Sequence, residues 1–178
     1  MKTRILIVAA FLFASMFVGA QKFAYVDTQY ILDNIPDYQT AQNTLDDLSM
    51  EWQKELEVKF AEIDKLYKNY QSESFLLSED MKTKRQNEII AKEKEAKELQ
   101  KKYFGTEGDL FKKRQELIKP IQDKVYNAIE SLAEEGSYAV IFDRSGNTTL
   151  IYASEKYDKS DDVLNKLGFK AGGVKSNK

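Results

Sequence analysis

The chain has 178 residues, with 27 basic and 29 acidic side chains, no His and no Cys. That length suits one domain, and the missing residue types exclude disulfides, thiolate nucleophiles, Cys/His zinc sites and imidazole bases. A weakly acidic chain also lacks the Lys/Arg excess that phosphate backbones call for, so no nucleic-acid partner is expected, and 2 Pro with 8 Gly among 31% charged residues favour long helices over a loop-rich sandwich.

Residues 1–20 read MKTRILIVAAFLFASMFVGA, with Lys2 and Arg4 ahead of an apolar run of 14 residues and small residues before Gln21. This is the pattern of a cleaved secretory signal peptide. The run is short of the roughly 20 residues a transmembrane helix needs. No Cys is present for lipid attachment, so a soluble exported protein with a net charge of −4 is expected. Without the disulfides an oxidising compartment allows, its stability must come from helix packing and assembly.

The mature chain opens on KFAYVD at 22–27, apolar on both faces, which predicts a buried strand. Asp27 or Thr28 can cap a short helix over 29–34, and Pro36 suits the first turn of the next helix. From Asp37 to about Tyr70 there is neither Gly nor Pro, and Leu45, Leu48, Trp52, Leu56, Phe60, Ile63, Tyr67 and Tyr70 recur at close to 3.6 residues per step. That is one continuous helical stripe. The charge pattern lapses over 71–78 (QSESFLLS), and Ser78 before Glu79 and Asp80 reads as a helix start. A second long helical stretch runs to about Glu135. Folding back about residues 75–76 sets Tyr70 near Met81, Ile63 near Ile89 and Trp52 near Leu99, so the two stripes form an antiparallel hairpin. Gly105 and Gly108 weaken a helix interior by roughly 1 kcal/mol each, and Pro120 is expected to kink it. These three are candidate hinges of an arm.

Gly136 ends the helix. YAVIFD at 138–143 and TTLIYAS at 148–154 predict two strands joined by a turn over 144–147. Ser160 or Asp161 can cap a last helix over about 162–167, closed by Gly168, and residues 171–178 read as a flexible tail. The order is strand, helical hairpin, strand, strand, helix: an α+β, mainly α fold. A β-body over 21–36 and 120–170 carries an inserted arm over 37–119. Three small strands, apolar on both faces, exceed what one or two short helices can cover, so neighbouring subunits are the expected cover. Phe23, Tyr25, Val26, Tyr138, Val140, Ile141, Leu150 and Tyr152 are the candidate assembly residues.

At this point the chain resembles the Skp/OmpH family of periplasmic chaperones for outer-membrane proteins. The residues that carry the likeness are the leader, FAYVDTQYIL at 23–32, the charged hairpin at 37–135, and YAVIFD, LIYAS and SDDVLNKLG within 138–168. The resemblance implies a jellyfish-like homotrimer in the periplasm. Strands of three subunits form the body, and three arms enclose an unfolded outer-membrane protein without ATP or any cofactor. The best-known members are strongly basic and this chain is not, which argues against electrostatic capture and leaves contact with a membrane surface open.

Within that frame, Phe75, Leu76 and Leu77 at the arm tip either touch clients or cap the hairpin by packing on Tyr70 and Met81. Tyr70, Tyr103 and Phe104 either line a cavity or fill the seam between helices, and the adjacency of Tyr103 and Phe104 predicts that one of them faces away from it. Lys101, Lys102, Lys112, Lys113 and Arg114 sit among acids and read as a solvated face. Asp27 and Asp143 end predicted strands. Neighbouring strands would make them a carboxylate pair, although strand-end Asp residues usually cap turns. With no nucleophile–base grouping and no Gly-rich phosphate loop, no catalytic residue is expected. The alternative to a chaperone is a structural coiled-coil adaptor tethering envelope proteins, which would favour a strict, uninterrupted heptad seam.

Overall fold

The computed structural model describes residues 21–146, 150–170 and 174–175. The leader at 1–20 lies outside them, as do 147–149 of the predicted turn and strand and 171–173 and 176–178 of the predicted tail. Strand β1 (Lys22–Val26) leads into α1 (Thr28–Asp33), and the Asp27 carboxylate accepts the Tyr30 N–H at 2.9 Å. The strand-end aspartate is therefore a helix cap. Pro36 occupies the first turn of α2 (Pro36–Glu73), where its missing N–H goes unneeded. At 38 residues this helix is about 57 Å long at 1.5 Å per residue. A 3-10 turn, Ser74–Leu76, and an extended Leu77 reverse the chain.

Helix α3 (Glu79–Phe104) begins where expected, with the Ser78 hydroxyl accepting the Met81 N–H at 3.4 Å. Glu79 and Asp80 stand in its first turn and Lys101 and Lys102 in its last, so both ends complement the helix dipole. The second long stretch is not one helix but three. It breaks at Gly105 and restarts as α4 (Asp109–Leu117), then passes through Ile118 into α5 (Lys119–Gly136). Pro120 falls in the first turn of α5, where the break has already removed the bond that proline cannot make. Past Gly136, Ser137 turns the chain with a positive φ of 53°.

The residues after the helices differ from the predicted hairpin. Strand β2 (Tyr138–Asp143) pairs in parallel with β1, placing Phe23 beside Val140 and Val26 beside Asp143. The other edge of β1 is held by a bridge from Tyr25 to Asp158, with the Lys159 N–H donating to the Tyr25 carbonyl at 2.9 Å. Residues 150–154 form no strand. A strand is made by its partner, and among the described residues none is offered to this stretch: Ile151 is 93% and Tyr152 83% exposed. Helix α6 (Ser160–Lys166) closes at Gly168, φ 86°, and two-residue strands β3 (Phe169–Lys170) and β4 (Val174–Lys175) pair antiparallel. No helix among the described residues is long and apolar enough to cross a membrane.

The chain divides into two compact units. One, a terminal unit, joins the segment up to Ile31 with the segment from Val125 onward; the other, a central unit, is Leu32–Lys124. The terminal unit buries Ala24, Tyr25, Val26, Ile31, Val125, Ala128, Val163 and Leu164. The central unit buries a thinner line, including Leu45, Leu56, Ile63, Ile89 and Ala96, as expected for a two-helix seam.

Candidate client-contact and assembly surfaces

The arm of the central unit is zipped by side chains at helical spacing. Ile63, Ile89 and Ala96 form one buried cluster, with Leu66 and Tyr70 packed against it. Each fully buried aliphatic side chain there contributes about 1.5–3 kcal/mol. Tyr70 is half-buried, and its hydroxyl accepts from the Gln86 side chain at 2.7 Å. Ion pairs flank the line, with Lys59 to Glu95 at 3.3 Å and Lys92 to Glu62 at 3.9 Å. Both are exposed and add little individually.

Toward the root of the arm, Trp52 stacks on Tyr103, ring centroids 4.6 Å apart and planes 7° from parallel. Phe104 meets both rings edge-on at 6.3 Å. Neither aromatic of the 103–104 pair faces away, contrary to expectation, because the indole is broad enough to offer Tyr103 a face and Phe104 an edge. The Tyr103 hydroxyl donates to Glu55 at 2.8 Å, and that bond to a carboxylate raises the Tyr103 pKa. Trp52 therefore stacks on Tyr103, one helical turn rootward of the predicted Leu99, whereas Ile63 and Ile89 share one buried cluster as expected.

Beyond the seam the tip is bare. Phe75 is 78% and Leu76 74% exposed, Leu77 is half-buried, and Met81 is exposed beside them. Phe75 and Leu76 are therefore not buried by packing on Tyr70 and Met81.

The glycines at the root end of α3 are required by close approach. Both have negative φ, so handedness is not the reason. A Cβ on Gly105 would lie 2.4 Å from the Lys101 carbonyl oxygen, and one on Gly108 would lie 2.8 Å from the carbonyl oxygens of Lys102 and Tyr103.

In the terminal unit, Tyr25 and Val26 are buried, Tyr138, Ile141 and Leu150 are half-buried, and Phe23, Val140 and Tyr152 are exposed. An open groove of about 710 Å³ runs between Phe23, Tyr25, Tyr138, Phe142, Leu150 and Tyr152. Polar ties hold the strand ends. Asp143 accepts from the Thr28 hydroxyl at 2.7 Å, the Thr28 N–H at 3.2 Å, and the Ser145 N–H and hydroxyl at 2.9 and 2.8 Å. The buried Ser160 does not cap α6 with its hydroxyl. It accepts the Asp27 N–H at 2.9 Å and donates to Asp158, whose carboxylate also accepts the Ser160 N–H and so does the capping. The Asp27 carboxylate is thus occupied by a backbone N–H, and that of Asp143 by backbone and hydroxyl donors.

This arrangement of strand, long hairpin, strand and short helix has known counterparts. Residues 22–167 match the family described as outer membrane protein (OmpH-like). The chain belongs to the OmpH-like family. In fold it is similar to the crystal structure of an OmpH-like protein from Caulobacter crescentus CB15 designated an outer membrane chaperone. Its TM-score is 0.64 at 12% identity, over 84% of this chain and 85% of that one. No curated protein matches the sequence.

In this OmpH-like chain the basic residues near the arm root are largely neutralised. Lys102 and Lys112 stand 3.9 and 3.7 Å from Asp109, and Lys113 pairs with Glu116 at 2.7 Å. Among the exposed apolar residues of the terminal unit, Phe142, Ile151 and Tyr157, like Tyr30 and Tyr126, were not among the expected assembly residues. Strand alternation could have pointed to Phe142, since it shares a face with Val140. Nothing in the local pattern marks Tyr157, which sits in a 3-10 turn, Glu155–Tyr157.

Proposed function

We propose that this chain is an ATP-independent holdase of the periplasm. In this reading three copies join through the apolar faces of their terminal units, and their arms enclose an unfolded outer-membrane protein and keep it from aggregating. The observation that carries the reading is the family match over 22–167, which takes in the arm and both strands alike. The chaperone designation of the C. crescentus protein supports it. The leader at 1–20 would deliver the chain to that compartment.

The physics is loose enclosure. Phe75 and Leu76 offer apolar contact at the end of each arm without an internal partner to satisfy first. Many weak contacts of this kind hold a client while leaving its departure fast, because no single deep pocket sets the dissociation rate. Phe23, Val140, Phe142 and Tyr152 are the proposed assembly contacts, exposed in the single chain and apolar enough to need cover. Gly105, Gly108 and Pro120 are the proposed points at which an arm adjusts to client size.

The test is light scattering of a urea-denatured outer-membrane β-barrel protein diluted into buffer with and without the purified protein. Suppressed aggregation near one trimer per barrel is the expected result. Unchanged aggregation overturns the holdase reading, and binding of folded envelope proteins in its place would identify a tethering adaptor.

A further inference from the structure

Not every apolar residue of the arm enters its seam. Phe60 is 41% and Tyr67 45% exposed on α2, and Ile90 is 59% exposed on α3. At about 100° per residue, Phe60 and Tyr67 leave α2 about 60° and 40° to one side of buried Ile63, whereas Glu55, Lys59 and Glu62 leave it on the other. On α3, Ile90 lies about 100° to one side of buried Ile89, and Lys92, Glu95 and Tyr103 lie on the other. The ion pairs that bridge α2 and α3, Lys59 with Glu95 and Glu62 with Lys92, join these second sides, as does the Tyr103–Glu55 hydrogen bond. The first sides of both helices therefore share the opposite face of the hairpin.

The same ion pairs put Ile90 level with Asp64, between Phe60 and Tyr67, which stand about 10 Å apart along the axis. One face of the arm is thus bridged by ion pairs, and the other carries an aromatic and aliphatic patch with Glu57, Asp64, Glu93 and Lys97 around it. The size of the patch decides what fits it. Two aromatic rings and an isoleucine, each about half exposed, offer on the order of 250 Å². A folded partner or a second copy needs about 800 Å² on each side for a stable interface. A disordered chain has no such requirement, because it meets a surface a few side chains at a time and with low affinity for each.

We infer that this face of the arm is the one turned toward the unfolded client, with Phe60, Tyr67 and Ile90 receiving the client's aromatic and aliphatic side chains midway along the arm. The patch adds a second contact to that of the tip, with Tyr67 about 12 Å rootward of Phe75. The inference rests on the holdase reading above.

The chain has no Cys, so a single introduced thiol can carry a benzophenone photo-cross-linker. Tyr67→Cys and Ile90→Cys place it on the patch, and Asn69→Cys places it on the ion-paired side at nearly the height of Tyr67, where the residue is exposed. Each labelled protein is irradiated with an outer-membrane β-barrel protein freshly diluted from urea. Cross-links to the barrel from positions 67 and 90, several-fold above those from 69, are the expected result. Equal or stronger cross-linking from 69 overturns the inference, as does linkage of copy to copy through 67 and 90 in place of the client. Without any label, Phe60→Gln with Tyr67→Gln and Ile90→Gln should weaken client affinity about tenfold at unchanged helicity. Unchanged affinity in the folded triple variant overturns the inference and leaves the holdase standing, provided the unaltered protein suppresses aggregation. An unaltered protein that leaves aggregation unchanged removes the holdase reading and this inference with it. Should the triple variant lose helicity, the cross-linking pattern decides.

Discussion

Asp143 receives four hydrogen bonds from Thr28 and Ser145. Its partial burial acts to raise its pKa, but those donors outweigh it and hold the pKa below the ordinary aspartate range. A carboxyl depressed on folding contributes stability above about pH 4, its unfolded value, and that contribution fades as pH falls through the folded value. Asp143→Asn should therefore lower the urea midpoint of the terminal unit at pH 7, with the gap to the unaltered protein narrowing from about pH 4 downward. A gap independent of pH would show that the ionised form is not what Thr28 and Ser145 recognise. In the central unit, Trp52→Ala removes the ring that both Tyr103 and Phe104 cover. A cost of about 2–4 kcal/mol is expected, read as a lower melting temperature in helix-sensitive circular dichroism. These partnerships were only half legible in advance. The aromatic stripe was visible in the spacing, whereas the spacing does not encode which aromatic of α3 the Trp52 indole stacks on.

At the level of elements, the hairpin was readable because a period near 3.6 persists from Leu45 to Tyr70 and because Ser78, Glu79 and Asp80 mark a fresh start. The break after Phe104 was readable from its glycines, but the reason for those glycines was not. Their Cβ positions are filled by backbone carbonyl oxygens, so Gly108→Ala should destabilise the arm by about 1–3 kcal/mol, since backbone would have to move. Chemical denaturation followed at 222 nm checks this; a neutral outcome would mean that the break relaxes without strain. The tip behaves differently. Phe75→Ser with Leu76→Ser removes side chains that already face water. The melting temperature should stay within about 1–2 °C, as for surface changes, while suppression of β-barrel aggregation weakens. Loss of folding with holding intact would reverse those roles.

For the molecule as a whole, the weakest point of a single chain is the apolar surface of its terminal unit, where Phe23, Val140, Phe142, Ile151 and Tyr152 remain exposed. In the proposed trimer, Phe142→Asp should shift the native mass from three chains toward one at micromolar concentration, because a charge desolvated in an interface costs several kcal/mol. An unchanged mass would place the subunit contact elsewhere. The sequence by itself determined the helical hairpin, its capped ends, the interruptions near Gly105 and Pro120 and the apolar strands, since each follows from local periodicity, capping chemistry or backbone preference. Only the tertiary structure decided that β2 lies parallel to β1, that residues 150–154 form no strand, that Ser160 ties Asp27 to Asp158, and that Tyr103 and Phe104 share one indole. Those outcomes depend on which distant segment arrives as partner, and pairing across more than a hundred residues leaves no trace in local spacing.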